Sequence, residues 1–146
     1  MLTLQKELSK EFNGIQKDGR VLEVKFIGDS YPLHADPKLL MNSLSNIISN
    51  AFKYSVGRKN PDLTILFKPN KIVFRVRDYG IGIPEEQRVH LFQPFFRADN
   101  VIDIKGTGLG LSIAKEYVEI NKGTINLKSI EGAGSCFEIT FKKFKA

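Results

Sequence analysis

The sequence predicts an α/β (α+β) two-layer sandwich, with helices packed on one face of a mixed, mostly antiparallel sheet. Three observations lead there. The chain has 146 residues and 42% hydrophobic content, enough for one ordinary domain with one core over 1–146. Its periodic segments follow one another as helix, strand, helix, hairpin, helix and hairpin. Both hairpins have turn-forming residues at their tips, so their strands pair antiparallel.

The elements follow in order. From Leu4 to Ile15, Leu4, Leu8, Phe12 and Ile15 recur at helical spacing, and Asn13-Gly14 with Asp18-Gly19 then breaks the pattern. Val21 to Ile27 alternates as a strand. After Pro32 and Pro37, Lys38 to Tyr54 carries Leu40, Leu44, Ile47, Ile48 and Ala51 on one helical face. Ser55 to Asp62 reads as a turn. Leu63 to Phe67 and Ile72 to Val76 are β-branched or aromatic runs around Lys68-Pro-Asn-Lys71, a hairpin that puts Asp78 at a strand end. Pro84 leads a short helix over Glu85 to Phe92, and Ser112 to Ile120 forms a longer one with Ile113, Tyr117 and Ile120 on one face. Thr124 to Ser129 and Ser135 to Phe141 close the chain as a hairpin around Glu131-Gly-Ala-Gly134.

Composition narrows the function classes. No apolar run is long enough to span a bilayer, and the start Met-Leu-Thr-Leu-Gln-Lys lacks a secretory apolar region. Cys136 is the single cysteine, which rules out an intrachain disulfide; its place in the alternating stretch Cys136-Phe-Glu-Ile-Thr-Phe141 suggests a small buried residue, and a reducing cytosol fits. With 22 Lys plus Arg against 16 Asp plus Glu, the net charge of +6 suits an anionic ligand, of which nucleic acid is only one kind.

Three polar clusters carry chemistry. At about 100° per residue, Asn46, Asn50 and Lys53 fall opposite the apolar stripe of their helix, with Tyr54 on the flank. A carboxamide oxygen is a hard, neutral ligand suited to Mg²⁺ alongside phosphate oxygens, and Lys53 can neutralise phosphate charge. A solvated polar face is the plain alternative, although Asn42, Asn46 and Asn50 are poor helix formers where Glu or Lys would serve better. In Asp78-Tyr-Gly80-Ile-Gly82-Ile-Pro84, a carboxylate followed by glycines can accept the amine of adenine while bare backbone admits the base; the O6 acceptor of guanine would face it unpaired. The alternative is a plain turn. In Lys105-Gly106-Thr-Gly108-Leu-Gly110-Leu-Ser112, glycines opening a helix each cost about 1 kcal/mol against alanine, and close approach of phosphate to a helix N-terminus accounts for them. The alternative is a loop running into a helix. The spacing is neither the P-loop nor the dinucleotide fingerprint.

Together these residues resemble the catalytic and ATP-binding domain of sensor histidine kinases, in the superfamily that also holds the gyrase, heat-shock chaperone and mismatch-repair ATPases. Asn46-Ile-Ile-Ser-Asn50-Ala-Phe-Lys53-Tyr54 is similar to the asparagine box, Asp78-x-Gly80-x-Gly82 to the first glycine box and Gly106-Thr-Gly108-Leu-Gly110-Leu to the second. Leu91-Phe92-Gln-Pro-Phe95-Phe96-Arg97 is similar to the phenylalanine box particular to the kinases, and Gly132-Ala-Gly134-Ser-Cys-Phe137 to the closing hairpin. The resemblance implies a Bergerat-type fold with ATP between the asparagine helix and a mobile lid from about Phe92 to Gly106. It implies that Asn50 ligates Mg²⁺, Asn46 and Lys53 contact phosphates, Tyr54 flanks adenine and Asp78 binds its amine. It further implies nucleotide contacts from Gly80, Gly82, Ile83, Phe95, Lys105, Gly106, Thr107, Gly108, Leu109 and Gly110. Catalytic roles fall to Asn46, Lys53 and Arg97, with Arg97 approaching the γ-phosphate.

The phosphate-accepting histidine of that family lies in a separate dimerisation domain, followed by an acidic residue and, a few positions later, a proline. His34-Ala35 and His90-Leu91 do not fit that pattern. The expectation is therefore a monomeric catalytic module, cytoplasmic, whose parent protein is a homodimer with or without a membrane anchor. Its partners are ATP, the histidine-bearing dimerisation domain and, indirectly, a response regulator, but not nucleic acid. Competing readings are an ATPase of the gyrase or chaperone kind, an anti-sigma-factor serine kinase, and a basic binding module using Lys142-Lys-Phe-Lys145.

Overall fold

The computed structural model describes residues 22–29, 31, 33, 35–53, 55, 59–83, 86, 92, 110–130 and 132–143. The expected helix over Leu4 to Ile15 lies outside these residues, as does nearly all of the short helix expected from Glu85 to Phe92. Among the described residues, strand β1 (Glu23–Ile27) is followed by helix α1 (Pro37–Lys53), a hairpin of β2 (Asp62–Phe67) and β3 (Lys71–Asp78), helix α2 (Gly110–Ile120), and a second hairpin of β4 (Thr124–Ile130) and β5 (Gly134–Lys142). The five strands form one sheet in the order β1-β2-β3-β5-β4. Only β1 and β2 pair parallel; every other neighbouring pair is antiparallel. The sheet is thus mixed and mostly antiparallel, as the sequence indicates.

Alternation along each strand gives the sheet one apolar face, and register aligns it into rows. Phe67, Ile72 and Phe141 make one row, Phe26, Ile65, Phe74, Ile139 and Ile125 the next, and Val24, Leu63, Val76, Phe137 and Leu127 the third. Phe74 and Phe141 meet edge to face with centroids 6.1 Å apart. The opposite face carries one row with Ile27, Leu66 and buried Val73 and is otherwise mostly polar; its Arg75 and Glu138 side chains, in register, form an ion pair at 3.0 Å. Cys136 shares that parity and is only partly buried, which corrects the expectation of a core cysteine. It lies in a strand that alternates, and the residues that share its face are those two away, Glu138 first among them, while Phe137, Ile139 and Phe141 take the apolar face.

The two helices cover the apolar face. In α1 all five residues of the expected stripe, Leu40, Leu44, Ile47, Ile48 and Ala51, are buried, joined by Ser43 and Phe52. The stripe expected on α2 is corrected: Ala114 and Val118 are buried, Ile113 and Tyr117 are half-buried, and Ile120 is 59% exposed. The seam is turned by one residue because α2 packs closely on α1 through a small side chain. Ser43 Oγ shares its hydrogen between the Leu39 carbonyl at 3.0 Å and the Ala114 carbonyl at 3.3 Å, an approach a bulkier residue at 114 would hold apart. Beyond Ile120 the chain closes α2 with Lys122 at φ 62°, Lys122 N–H on Glu119 and Gly123 N–H on Val118. No helix among the described residues is long and apolar enough to cross a membrane.

Asp36 fixes where α1 begins. Its Oδ1 accepts from the N–H groups of Lys38 at 2.9 Å and Leu39 at 3.3 Å, and Pro37 occupies the first helical position. Asp36 also donates its own N–H to Asn121 Oδ1 at 2.8 Å, tying the start of α1 to the end of α2. Replacing Asp36 with Ala is expected to lower stability by about 1 kcal/mol, whereas Asn, an equally good cap, changes it by a few tenths. Chemical denaturation of the three proteins checks this; equal stability of the Ala variant would remove the cap from the account.

Candidate functional site

The apolar rows end abruptly. The next position inward on β3, β5 and β4 is occupied by Asp78, Ser135 and Ser129, directly opposite one another in register. All three are buried, at 7%, 7% and 6% exposure. A polar row on a buried face must find hydrogen-bond partners, and this one does. Asp78 Oδ1 accepts from Gly80 N–H at 3.0 Å and from Ser135 N–H at 3.3 Å. Among the described residues no group donates to its other oxygen, Oδ2. Burial lifts the Asp78 carboxyl above its ordinary value of 3.8, while the Gly80 and Ser135 N–H groups pull the other way. A desolvated carboxylate whose second oxygen has no donor among the described residues can accept a further hydrogen bond there.

The turn after Asp78 is held from both sides of the sheet. Tyr79 turns outward, donating its hydroxyl to Asp62 Oδ2 at 2.8 Å, with Lys59 and Arg77 each 4.9 Å from its ring centroid. The hydrogen bond to Asp62 holds the phenol proton and raises its pKa. On the other side Gly132 N–H donates to the Ile81 carbonyl at 2.6 Å, and Ile83 N–H donates to Ser129 Oγ at 2.8 Å. Gly82 has φ 68°, which a side chain would strain. Gly134 is more restrictive: at φ 120°, a Cβ there would collide with the Asp78 carbonyl oxygen and Tyr79 Cα. The second hairpin can approach the carboxylate's backbone only because this position has no side chain.

On α1, Asn46 and Asn50 are half-buried and Lys53 is exposed, on the side turned away from the core stripe. The Asp36–Asn121 and Ser43–Ala114 contacts show that α1 and α2 run antiparallel. Continuing along both helices brings the start of α2 at Gly110 alongside the turn between Asn46 and Asn50. The last glycine of the second glycine cluster and the asparagine helix are thus neighbours, although over fifty residues separate them in sequence. Among the described residues no group of three or more His, Cys, Asp or Glu side chains gathers as a metal site. The carboxamides of Asn46 and Asn50 on α1 are oxygen donors of a kind that suits Mg²⁺.

Of the expected site residues, Tyr54, Phe95, Arg97, Lys105, Gly106, Thr107, Gly108 and Leu109 lie outside the described residues, as do His34, His90 and most of the expected lid. Phe92, at the start of that segment, packs edge to face on Phe137 at 6.2 Å, and Lys115 Nζ lies 5.5 Å from its ring centroid. Ser129 and Ser135 are the residues that the sequence reading did not single out. Their signal was present: each is a polar residue on the same strand face as Leu127 or Phe137, an exception to an otherwise apolar alternation.

The raised pKa of Asp78 gives a test with a defined sign. Because the folded protein holds this proton more tightly than the unfolded chain, the group's contribution to stability is fully present below the ordinary value of 3.8. It is lost as pH rises through the folded value. Asp78→Asn keeps the oxygen that accepts from Gly80 and Ser135 but cannot ionise. The Asn protein is therefore expected to be at least as stable as the parent at pH 7, with its relative advantage shrinking as pH falls towards the ordinary carboxylate range. Thermal unfolding across pH checks this; an Asn protein less stable than the parent at neutral pH would contradict it.

Residues 35–145 match the family model described as histidine kinase-, DNA gyrase B-, and HSP90-like ATPase. The chain is 34% identical to the circadian input-output histidine kinase CikA of Synechococcus elongatus, over 94% of its own length and 19% of the relative's. It is 31% identical to the adaptive-response sensory kinase SasA of Crocosphaera subtropica, over 97% of this chain and 38% of that one. It is 40% identical to the sensor protein kinase WalK of Staphylococcus aureus, over 72% of this chain and 26% of that one. The chain thus spans between about a fifth and two fifths of these relatives. Among solved structures, the mycobacterial sensor histidine kinase MprB has the same fold, with a TM-score of 0.79 at 21% identity, covering 97% of this chain and 95% of that one. The matched segment runs from the cap of α1 to the end of β5 and includes the whole polar row, and the chain belongs to the histidine kinase-, DNA gyrase B- and HSP90-like ATPase family.

Proposed function

We propose that this chain is the ATP-binding catalytic module of a two-component sensor histidine kinase, presenting Mg-ATP for γ-phosphoryl transfer to a histidine on a dimerisation domain outside residues 1–146. The observation that carries the reading is the buried Asp78 carboxylate, whose Oδ1 is fixed by two backbone N–H groups and whose Oδ2 has no donor among the described residues. An adenine amine fits that oxygen. The O6 of guanine does not, since it would set acceptor against acceptor in a desolvated site.

Bound Mg-ATP supplies the phosphoryl group and the charge of the metal; the chain's residues position and neutralise. Asp78 orients the base, and Gly80 and Gly82 let it approach the backbone. Asn50 offers a carboxamide oxygen to Mg²⁺, and Asn46 and Lys53 offer donors to the phosphates from the same helix face. Gly110 and the glycines before it bring bare backbone to the phosphates beside that helix. Tyr54, Ile83, Phe95, Lys105, Thr107 and Leu109 complete the nucleotide contacts. The N–H of Ile83 is already engaged by Ser129, so its contribution comes from the side chain. Arg97 stabilises charge on the transferring group. Neither His34 nor His90 is the acceptor. The module works in the cytosol, is monomeric by itself and reaches a response regulator through the phosphorylated dimerisation domain of a homodimeric parent.

Calorimetric titration tests the base assignment. ATP is expected to bind much more tightly than GTP, and Asp78→Asn is expected to weaken ATP about tenfold or more, because it removes a charge-assisted bond worth roughly 1.5–3 kcal/mol. Equal binding of ATP by both proteins would remove Asp78 from the base site.

Phosphotransfer from radiolabelled ATP to the cognate histidine-bearing domain tests the remaining roles. Asn50→Ala and Arg97→Ala are each expected to reduce transfer by about tenfold or more while leaving binding of a metal-free adenine nucleoside nearly unchanged. Acid-labile labelling of residues 1–146 alone, at a rate matching that with the added domain, would identify His34 or His90 as the acceptor and overturn the proposal.

A further inference from the structure

We propose that Ser129 is a positioning residue for nucleotide recognition: through the second hairpin it holds the Asp78 carboxylate and the turn that follows in the geometry that reads adenine. This inference rests on the assignment of Asp78 to the adenine amine.

Ser129 does not touch Asp78. It reaches both arms of the Asp78–Ile83 turn indirectly. At the far arm, Ser129 Oγ accepts the Ile83 N–H at 2.8 Å. At the near arm, it donates to the Gly134 carbonyl at 3.0 Å and lies 2.9 Å from Ser135 Oγ. The N–H of Ser135, in turn, donates to Asp78 Oδ1. A serine hydroxyl has one hydrogen to give and two lone pairs to offer. With the hydrogen on Gly134, the lone pairs can receive the Ile83 N–H and the Ser135 hydroxyl.

The site leaves water little access to replace that hydroxyl, as Ser129 is 6% exposed. Removing it takes a hydrogen-bond partner from the Ile83 N–H and from the Gly134 carbonyl in a desolvated place, which loosens the turn against the hairpin. The close approach of Gly134 to the backbone of Asp78 and Tyr79 means that a hairpin shift is transmitted to the carboxylate. A hydrogen bond to the adenine amine depends steeply on distance and angle, so recognition of the amine suffers first. Contacts to phosphates, made from α1 and the start of α2, do not pass through this hairpin.

The test compares ATP with purine riboside 5′-triphosphate, which has the same ribose and phosphates but no 6-amino group. The parent chain is expected to prefer ATP by about tenfold or more. Ser129→Ala is expected to weaken ATP by about tenfold and the amine-less nucleotide by less than about twofold, collapsing the preference, while Ser129→Thr, which keeps the hydroxyl, restores it. If the parent shows no preference, the adenine assignment of Asp78 fails and this inference goes with it. If the parent shows the preference and Ser129→Ala retains it, Ser129 does not position the carboxylate. Equal weakening of both nucleotides would likewise reduce Ser129 to a structural residue. Should Ser129→Ala not fold, Ser129→Cys, similar in size but a much weaker hydrogen-bonding group, decides by the same ratio.

Discussion

A buried carboxylate must be supplied with hydrogen bonds by its surroundings, and in this domain that requirement falls on the sheet edge where three apolar rows give way to Asp78, Ser135 and Ser129. The apolar rows set the sheet against the helices and exclude water; the polar row inherits their burial. Where water is excluded, a ligand group mismatched to Asp78 would have no solvent to fall back on. The same exclusion destabilises the carboxylate, and the Gly80 and Ser135 N–H groups offset only part of that cost. The lifted pKa of Asp78 is the electrostatic trace of that burial.

Helix α1 carries two tasks on two sides. Its core face is filled by Leu44, Ile47 and Ile48, each almost wholly buried, and this fixes its rotation over the sheet. Once that rotation is set, Asn46 and Asn50 have no freedom to choose another direction, since a helix presents its faces as a rigid body. The asparagines are poor helix formers, and packing of the opposite face compensates for them. Ser43 and Asp36 then lock α1 to α2, so the beginning of α2 arrives beside the asparagine turn.

The turn after Asp78 carries glycines for close approach and so cannot stabilise itself with side-chain packing. Its order comes from neighbours: Tyr79 anchors it to Asp62 on the polar face, and Gly132 and Ser129 anchor it to the second hairpin on the other. Permissive backbone held in place by distant hydrogen bonds is how a glycine-rich segment can remain open to a ligand and still present one geometry.

The sequence by itself determined the order of the elements among the described residues, the apolar stripe of α1, the polar side that carries Asn46, Asn50 and Lys53, and the placement of Asp78 at the end of a strand. All of these follow from local periodicity and turn chemistry, which depend on residues close in the chain. Where neighbours in space decided the outcome, local reading stopped short. The seam of α2 runs through Ala114 and Val118 rather than through Ile113, Tyr117 and Ile120 because α1 approaches it at Ala114. Cys136 joins the polar face because β5 turns Ser135 and Phe137 towards the helices. Ser129 was visible as a polar residue on an apolar strand face, but its task depends on Ile83 and Ser135, and only the register of β3, β5 and β4 brings those together. Register between strands distant in sequence is a property of the assembled sheet, so the tertiary structure alone could align a carboxylate with the two serines that complete its setting.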